Sequence, residues 1–362
     1  MRSGKLRIVH TVSTLLGGGM EHFVLRLAEA QKRRGHDPSI LAVYGGPLLA
    51  LAQDAGIPVT VVGRMPKPAR VAKAAVAIAL RRPHVLHAHN PTSMHYASVG
   101  KLVSGARLVV TDHTQTRGVV RIASRIEWAL TDAIVAVSRY TAEQSYTIGA
   151  QRKVDVLYNG ITIESPRRTR AEVRAELGLA DDAVVGIDVA GLIHVKGHDV
   201  LVDALRMLRD EGTRATVLVA GEGEEQETIE RRIRERGLGP EQIRVLGFRT
   251  DVLDLLTASD FFVLSSRLEG LSLAILEAMS QRLPVIISRV GGNPEIITDG
   301  VEGLLIPPDD PPALVAAIRA LVADPALRRR MGEAGYRRVA SDFSFEKMTD
   351  AYEALYARVL AA

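Results

Sequence analysis

The chain has 362 residues, more than a single hydrophobic core usually sustains, so two domains are expected. Its residues are 47% hydrophobic and 24% charged, as in a soluble globular protein, and no uncharged apolar stretch reaches the roughly 20 residues of a spanning helix. With no cysteine, a disulfide framework, a thiolate nucleophile and a cysteine metal site are excluded, which suits a reducing cytoplasm.

The net charge of +4 hides an asymmetry. Residues 1–165 carry 21 Lys/Arg against 10 Asp/Glu, and the remainder carries 25 against 32. Between Asp54 and Asp112 stand eight basic residues and no acid (Arg64, Lys67, Arg70, Lys73, Arg81, Arg82, Lys101 and Arg107). This is either an ordinary solvated surface or a face drawn to anionic lipid or an anionic acceptor. Nucleic acid is not expected as a partner, because aromatics are only 4% and none interleaves with the basic run as a stacking platform.

In chain order, the first half places strands at 6–12, 39–43, 58–62, 84–88, 107–111, 133–137 and 154–158. The second half places them at 184–189, 216–220, 243–247, 261–265, 284–287 and 303–306. Helical segments of about 10–15 residues separate many of them, the pattern of βαβ units and parallel sheets. The fold class is therefore α/β, with two doubly wound domains joined near 165–173 and ligands expected at the carboxyl ends of the strands. MRSGKLRIVHTVSTLLGGG does not read as a signal peptide, because its apolar run is short and broken by His10 and glycines.

Four stretches carry chemistry. Gly17, Gly18 and Gly19 follow the first strand and open a helix, a turn whose N–H groups can approach a phosphate or a sugar oxygen. It is not a dinucleotide fingerprint: His22 stands where a glycine or alanine is needed, and no acid closes the second strand. In HVLHAHNP (84–91), alternation puts His87 and His89 on one face; no cysteine or clearly placed carboxylate completes a metal ligand set. Lys196 and Gly197 follow the first strand of the second half and precede a helix, where a lysine can reach a phosphate. In SSRLEGLSLAILEAMS (265–280), Glu269 and Gly270 fall in a turn, Ser272 or a neighbour opens an apolar helix, and Glu277 lies on its body. The helix N-terminus favours a diphosphate, and the two carboxylates can accept hydrogen bonds from sugar hydroxyls.

With GGGMEH, HAHNP, TDHTQ, NGI, KGHD, AGEGE, EGLSLAILEAM and GGNPE in order along nearly the whole length, the chain resembles the retaining glycosyltransferases of family 4, with the E-x7-E motif and the GT-B architecture of two facing Rossmann-like domains. The resemblance implies an acceptor-binding domain over 1–165, a donor-binding domain over 166–344 and a terminal helix over about 345–362 that packs back on the first. It implies transfer of a hexosyl unit from a nucleotide diphospho-sugar, UDP-linked, to a hydroxyl in envelope polysaccharide, lipid-linked oligosaccharide or glycolipid synthesis. No cofactor and no metal are implied, and the place of action would be the cytoplasm or the cytoplasmic membrane face.

Position by position, the resemblance gives His89 and Glu269 places beside the reacting sugar and Lys196 a place on the diphosphate. Gly18 and Gly19 match the phosphate-side loop, Gly270, Leu271 and Ser272 the donor turn, and Glu277 the ribose carboxylate. One position departs from the family. Where a family arginine helps neutralise the departing diphosphate, this chain has Gly191, with His194, Arg249 and Arg267 as possible compensating charges. A nucleotide-sugar binder that has lost catalysis is the alternative this departure raises.

Overall fold

The computed structural model describes residues 4–16, 18–113, 125–146 and 154–362. Gly17, Thr114 and Gln115, which belong to two of the motifs above, lie outside them. The described residues form two compact units, Met1–Tyr158 with Glu346–Ala362, and Asn159–Phe345.

In the first unit the strands are β1 (Arg7–Val12), β2 (Asp37–Ala42), β3 (Val59–Val61), β4 (Val85–Ala88), β5 (Arg107–Asp112), β6 (Ala133–Ala136) and β7 (Val154–Val156). They pair all-parallel in the order β3-β2-β1-β4-β5-β6-β7. In the second unit β8 (Val185–Val189), β9 (Thr216–Ala220), β10 (Ile243–Gly247), β11 (Phe261–Leu264), β12 (Val285–Ser288) and β13 (Gly303–Ile306) pair in the order β10-β9-β8-β11-β12-β13, again all-parallel. Both orders are the doubly wound arrangement, in which the strand order reverses beside the first strand of the unit. Each predicted strand is present within one or two residues at either end.

Burial explains which strands read clearly. Inner strands such as β4, β6 and β11 are buried at every position, as helices on both faces of a parallel sheet require. The edge strands β3 and β7 are only half-buried and keep three residues each. A core around Val9, Leu41, Ile78, Leu86 and Val110 holds the first unit. A larger one around Leu201, Val217, Phe261, Ile286 and Ile318 holds the second.

Helix Phe345–Ala361 carries Tyr352, Leu355, Tyr356 and Val359 at the predicted apolar spacing, and all four are buried. Tyr356 Oη lies 2.7 Å from His87 Nδ1 and Tyr352 Oη 3.2 Å from Thr111 Oγ1, so two phenols tie the chain's last helix to β4 and β5.

Candidate active site

In the second unit, the turn His194–Lys196 follows β8, and Gly197 closes it with φ +68°. A Cβ at Gly197 would stand 2.1 Å from the carbonyl oxygen of Ser265, so only glycine lets this turn meet the end of β11. Ser265 Oγ donates to the Gly197 carbonyl at 2.8 Å. This contact brings Lys196 to Glu269, with Nζ donating to Oε1 at 2.6 Å. Ser266 Oγ donates to the same oxygen, also at 2.6 Å. Glu269 is 7% exposed, and its charge is offset by a lysine and a hydroxyl rather than left bare in an apolar segment. Gly270 and Leu271 are buried beside it, and Ser272 is the N-cap of helix Leu273–Ser280. The Ser272 side chain makes no capping hydrogen bond, and Glu277 lies half-buried one turn into the helix.

Arg267 is engaged by two carboxylates and a carbonyl. Its Nε donates to Asp309 and its Nη2 to Asp199, each at 2.7 Å, while Nη1 donates to the His194 carbonyl at 2.8 Å. Asp199 raises the Arg267 pKa further. Burial pushes the Asp199 carboxyl up, but the bond and charge of Arg267 outweigh it and leave its pKa lowered. Arg267 is thus a brace that pins the Lys196 turn from behind. Arg249 is likewise spent, on Asp251 at 2.6–2.7 Å and Glu176 at 3.2 Å, and the Asp251 bond is the main cause of its raised pKa. His194 is exposed and enters this arrangement through its carbonyl. Gly191 is exposed, lies outside the positive-φ region, and has room: a Cβ would meet nothing nearer than the Glu222 carbonyl at 3.7 Å. Neither strain nor crowding requires glycine there.

In the first unit, the exposed Gly18 is the N-cap of helix Gly19–Arg33. Glu21 folds over it, with Oε2 2.7 Å from where a Gly18 Cβ would be, and Thr14 Oγ1 donates to Glu21 Oε1 at 2.7 Å. A carboxylate already sits in the positive field of this helix N-terminus. The HAHNP motif has a clear local cause: Asn90 caps helix Pro91–Ser104 in a reciprocal box with Ser93, and Pro91 takes a first-turn position.

His89 is fully buried, not exposed to a ligand, and both its ring nitrogens are taken. Its Nε2 is 3.0 Å from His10 Nδ1, and its Nδ1 is 3.2 Å from His113 Nε2. His10 Nε2 is 2.8 Å from Gln31 Oε1, and His87 lies between Tyr356 and Thr111, 2.7 Å from each. Ligand atoms of His10, His87 and His89 fall within 4.8 Å of one another, spacing that a metal could use, but hydrogen bonds already engage each of their nitrogens. Burial disfavours the imidazolium form throughout. It lowers His10 to about 4 and His113 to about 3, and holds His87 and His89 well below 6.5 with help from their imidazole neighbours.

Several of these partners escape sequence reasoning. His10 interrupts the first strand and could have been flagged as a polar residue inside an apolar run. Gln31 carries no local signal, and although His113, Asp199 and Ser266 fall within TDHTQ, KGHD and SSRLEGLSLAILEAMS, only packing sets the partner each meets.

Two family models match the chain: Glycosyltransferase Family 4 over residues 17–165 and Glycosyl transferases group 1 over residues 169–338. The chain belongs to this family of glycosyltransferases, and its fold is of the GT-B class. It is 33% identical over 227 residues to the lipopolysaccharide core biosynthesis glycosyltransferase LpsE of Rhizobium meliloti (strain 1021), covering 63% of this chain and 64% of that protein. It is 30% identical to the alpha-D-kanosaminyltransferase of Streptomyces kanamyceticus, covering 52% of this chain and 49% of that one. The matches therefore span less than two thirds of these relatives' own length. Among solved structures, Anabaena Alr3699/HepE in complex with UDP-glucose superposes with a TM-score of 0.88 at 22% identity, over 97% of this chain and all of that one. A glycosyltransferase from Rickettsia africae ESF-5 superposes at 0.85 and 21% identity, over 99% of each chain.

Proposed function

We propose that this chain transfers a hexosyl unit from a nucleotide diphospho-sugar, UDP-linked, to an acceptor hydroxyl with retention of configuration. The observation that carries this reading is the Lys196–Glu269 pair, held beside the uncapped N-terminus of helix Leu273–Ser280. A diphosphate would take Lys196 as counter-charge and the helix N–H groups as donors, so negative charge developing on the leaving group meets preset dipoles. Glu269 would turn toward sugar hydroxyls, and Glu277, one turn on, would accept from the ribose. In this reading the transfer uses no resident metal, and the charge of the diphosphate is met by Lys196 and the helix N–H groups. The UDP-glucose held by the superposed HepE structure supports a UDP donor. The acceptor would be an envelope polysaccharide, a lipid-linked oligosaccharide or a glycolipid precursor, in keeping with a lipopolysaccharide core relative.

We further propose action at the cytoplasmic membrane face. Among the described residues no helix is long and apolar enough to cross a membrane. Helix Lys67–Arg81 instead exposes Val76 and Leu80 among Lys67, Lys73 and Arg81, and Leu102 and Val103 are exposed on the helix packed beside it. Such a basic and apolar surface suits anionic headgroups.

Incubation with UDP- and GDP-hexoses, reading nucleotide release and product mass together with anomeric configuration, tests the activity. Release of nucleotide onto a glycan or glycolipid with retained configuration is expected. Tight nucleotide binding with no turnover of any donor would instead leave a binder without catalysis.

A further inference from the structure

The first strand of the second unit carries a polar misfit. β8 reads VGIDV, and its Asp188 is fully buried in an inner strand flanked by β9 and β11. His198, the first residue of helix His198–Asp210, is buried as well. Among the described residues, neither carboxylate oxygen of Asp188 and neither ring nitrogen of His198 has a hydrogen-bond partner. Buried polar groups left this way are costly, so the two side chains call for a reason. Each is the other's nearest answer. Asp188 Oδ1 stands 3.8 Å from His198 Nε2, and among the described residues no other ion pair engages Asp188.

The two residues bracket the loop 189–197, which leaves β8 with Gly191 and returns with Lys196. Its returning end is tied three times toward the end of β11: Lys196 to Glu269, the Gly197 carbonyl to Ser265, and Asp199 to Arg267. His198 stands within that run and is directed at β8 instead. Packing does not wedge its ring, which lines a cavity of about 170 Å³ together with His194, Asp199 and Glu225. A side chain with space beside it takes its direction from a polar partner, here the Asp188 carboxylate. The same space lets the ring cover the short distance from ion-pair contact to a hydrogen bond.

We propose that Asp188 and His198 are positioning residues, a carboxylate–imidazole clasp across the base of loop 189–197 that holds Lys196 in place for the donor's diphosphate. His198 Nε2–H donates to the Asp188 carboxylate and fixes where the helix starts relative to β8. The clasp touches no ligand. It acts through Lys196, whose ammonium must serve the diphosphate as well as Glu269 and therefore has to be held by its backbone rather than follow Glu269 alone. The identity of the ligand rests on the glycosyl-transfer reading, whereas the clasp does not.

Hydrogen exchange on the full chain tests the clasp without any ligand. In Asp188→Asn the amides of Leu192 and Lys196, bonded to the Glu222 and Ile193 carbonyls, should exchange about 10-fold faster, while those of β9 keep their wild-type rates. Nitrogen-detected NMR of 15N-histidine protein, with the His198 signal assigned by its loss in His198→Gln, should show Nε2 protonated and its resonance moved by Asp188→Asn. Calorimetry with UDP should give affinity about 3- to 10-fold weaker in Asp188→Asn and in His198→Gln, and the donor KM should rise by the same factor with the acceptor KM unchanged. The double variant Asp188→Val with His198→Leu removes both buried polar groups. It should melt at or above wild type and still bind UDP about 3- to 10-fold more weakly, which a merely structural pair would not do. Wild-type UDP affinity in that variant, wild-type exchange at Leu192 and Lys196 in Asp188→Asn, or a bare His198 Nε2 would each overturn the proposal. If wild type neither binds UDP nor turns over any donor, the transfer reading fails, while the exchange and tautomer measurements still decide the clasp.

Discussion

The two units share one strand order but handle polar groups at their strand ends in opposite ways. In the first, His10, His87, His89 and His113 lie in a hydrogen-bonded group with Tyr356, Thr111 and Tyr352, with burial lowering these four imidazoles and raising the two phenols. In the second, the side chains pair by opposite charge instead, Lys196 with Glu269 and Arg267 with Asp199 and Asp309. The contrast shows that topology sets where a site lies, while depth decides whether its groups can ionise. A fully buried imidazole gives up its proton, whereas the Glu269 carboxylate at its turn is met by a lysine 2.6 Å away.

Acid should break the comparison most strongly. The histidines of the first unit titrate below the ordinary 6.5, His10 near 4 and His113 near 3, so between those values and 6.5 the unfolded chain binds protons that the folded chain refuses. Their contribution is complete above about pH 6.5 and is lost as pH falls, by about 1.4 kcal/mol per pH unit for each histidine. The groups facing them (Gln31, Thr111, Tyr352, Tyr356) bring no charge that would offset this. Trp128, the chain's one tryptophan, packs against the first unit's core, so its fluorescence in urea at pH 7.5 and pH 5 isolates that unit. Equal midpoints at the two pH values would contradict neutral, buried imidazoles.

Next in size is Lys196→Ala. It should cut turnover on the order of 100-fold through lost diphosphate stabilisation, and lower stability by about 2–3 kcal/mol by leaving Glu269 buried with Ser266 alone. Adding Glu269→Gln should restore the melting temperature but not the turnover. Recovery of both would make the pair structural only.

Glu277→Ala should weaken UDP binding by about 1.5–3 kcal/mol in calorimetry, through lost charge-assisted hydrogen bonds. Unchanged affinity for UDP and GDP alike would remove Glu277 from the nucleotide site. Gly191→Arg should tighten UDP by about 1–3 kcal/mol, since the position has space and an unstrained backbone while Arg249 and Arg267 are committed elsewhere. A variant that melts like wild type yet binds UDP no better would show that the missing arginine is not what limits affinity.

The smallest effect concerns the first unit's surface. Replacing Lys67, Lys73 and Arg81 together with glutamine should weaken sedimentation with anionic vesicles by about 1 kcal/mol per residue and leave neutral vesicles unaffected. Equal partitioning of wild type to both vesicle types would mark the basic face as merely solvated.

From the sequence alone, the alternation of β-branched runs with helical segments determined both sheets, because strand formation follows local patterning and burial on two faces. The E-x7-E spacing likewise determined that Glu269 lies in a turn and Glu277 on the following helix. Tertiary structure decided the rest, since hydrogen-bond partners far apart in sequence leave no periodic trace. It decided that Arg267 and Arg249 are consumed by carboxylates, that the Glu21 carboxylate lies against Gly18, and that His89 is sealed between His10 and His113, 79 and 24 residues away. A side chain's type shows what it can bond; only the fold sets which partner comes within 3 Å and whether water is there to compete.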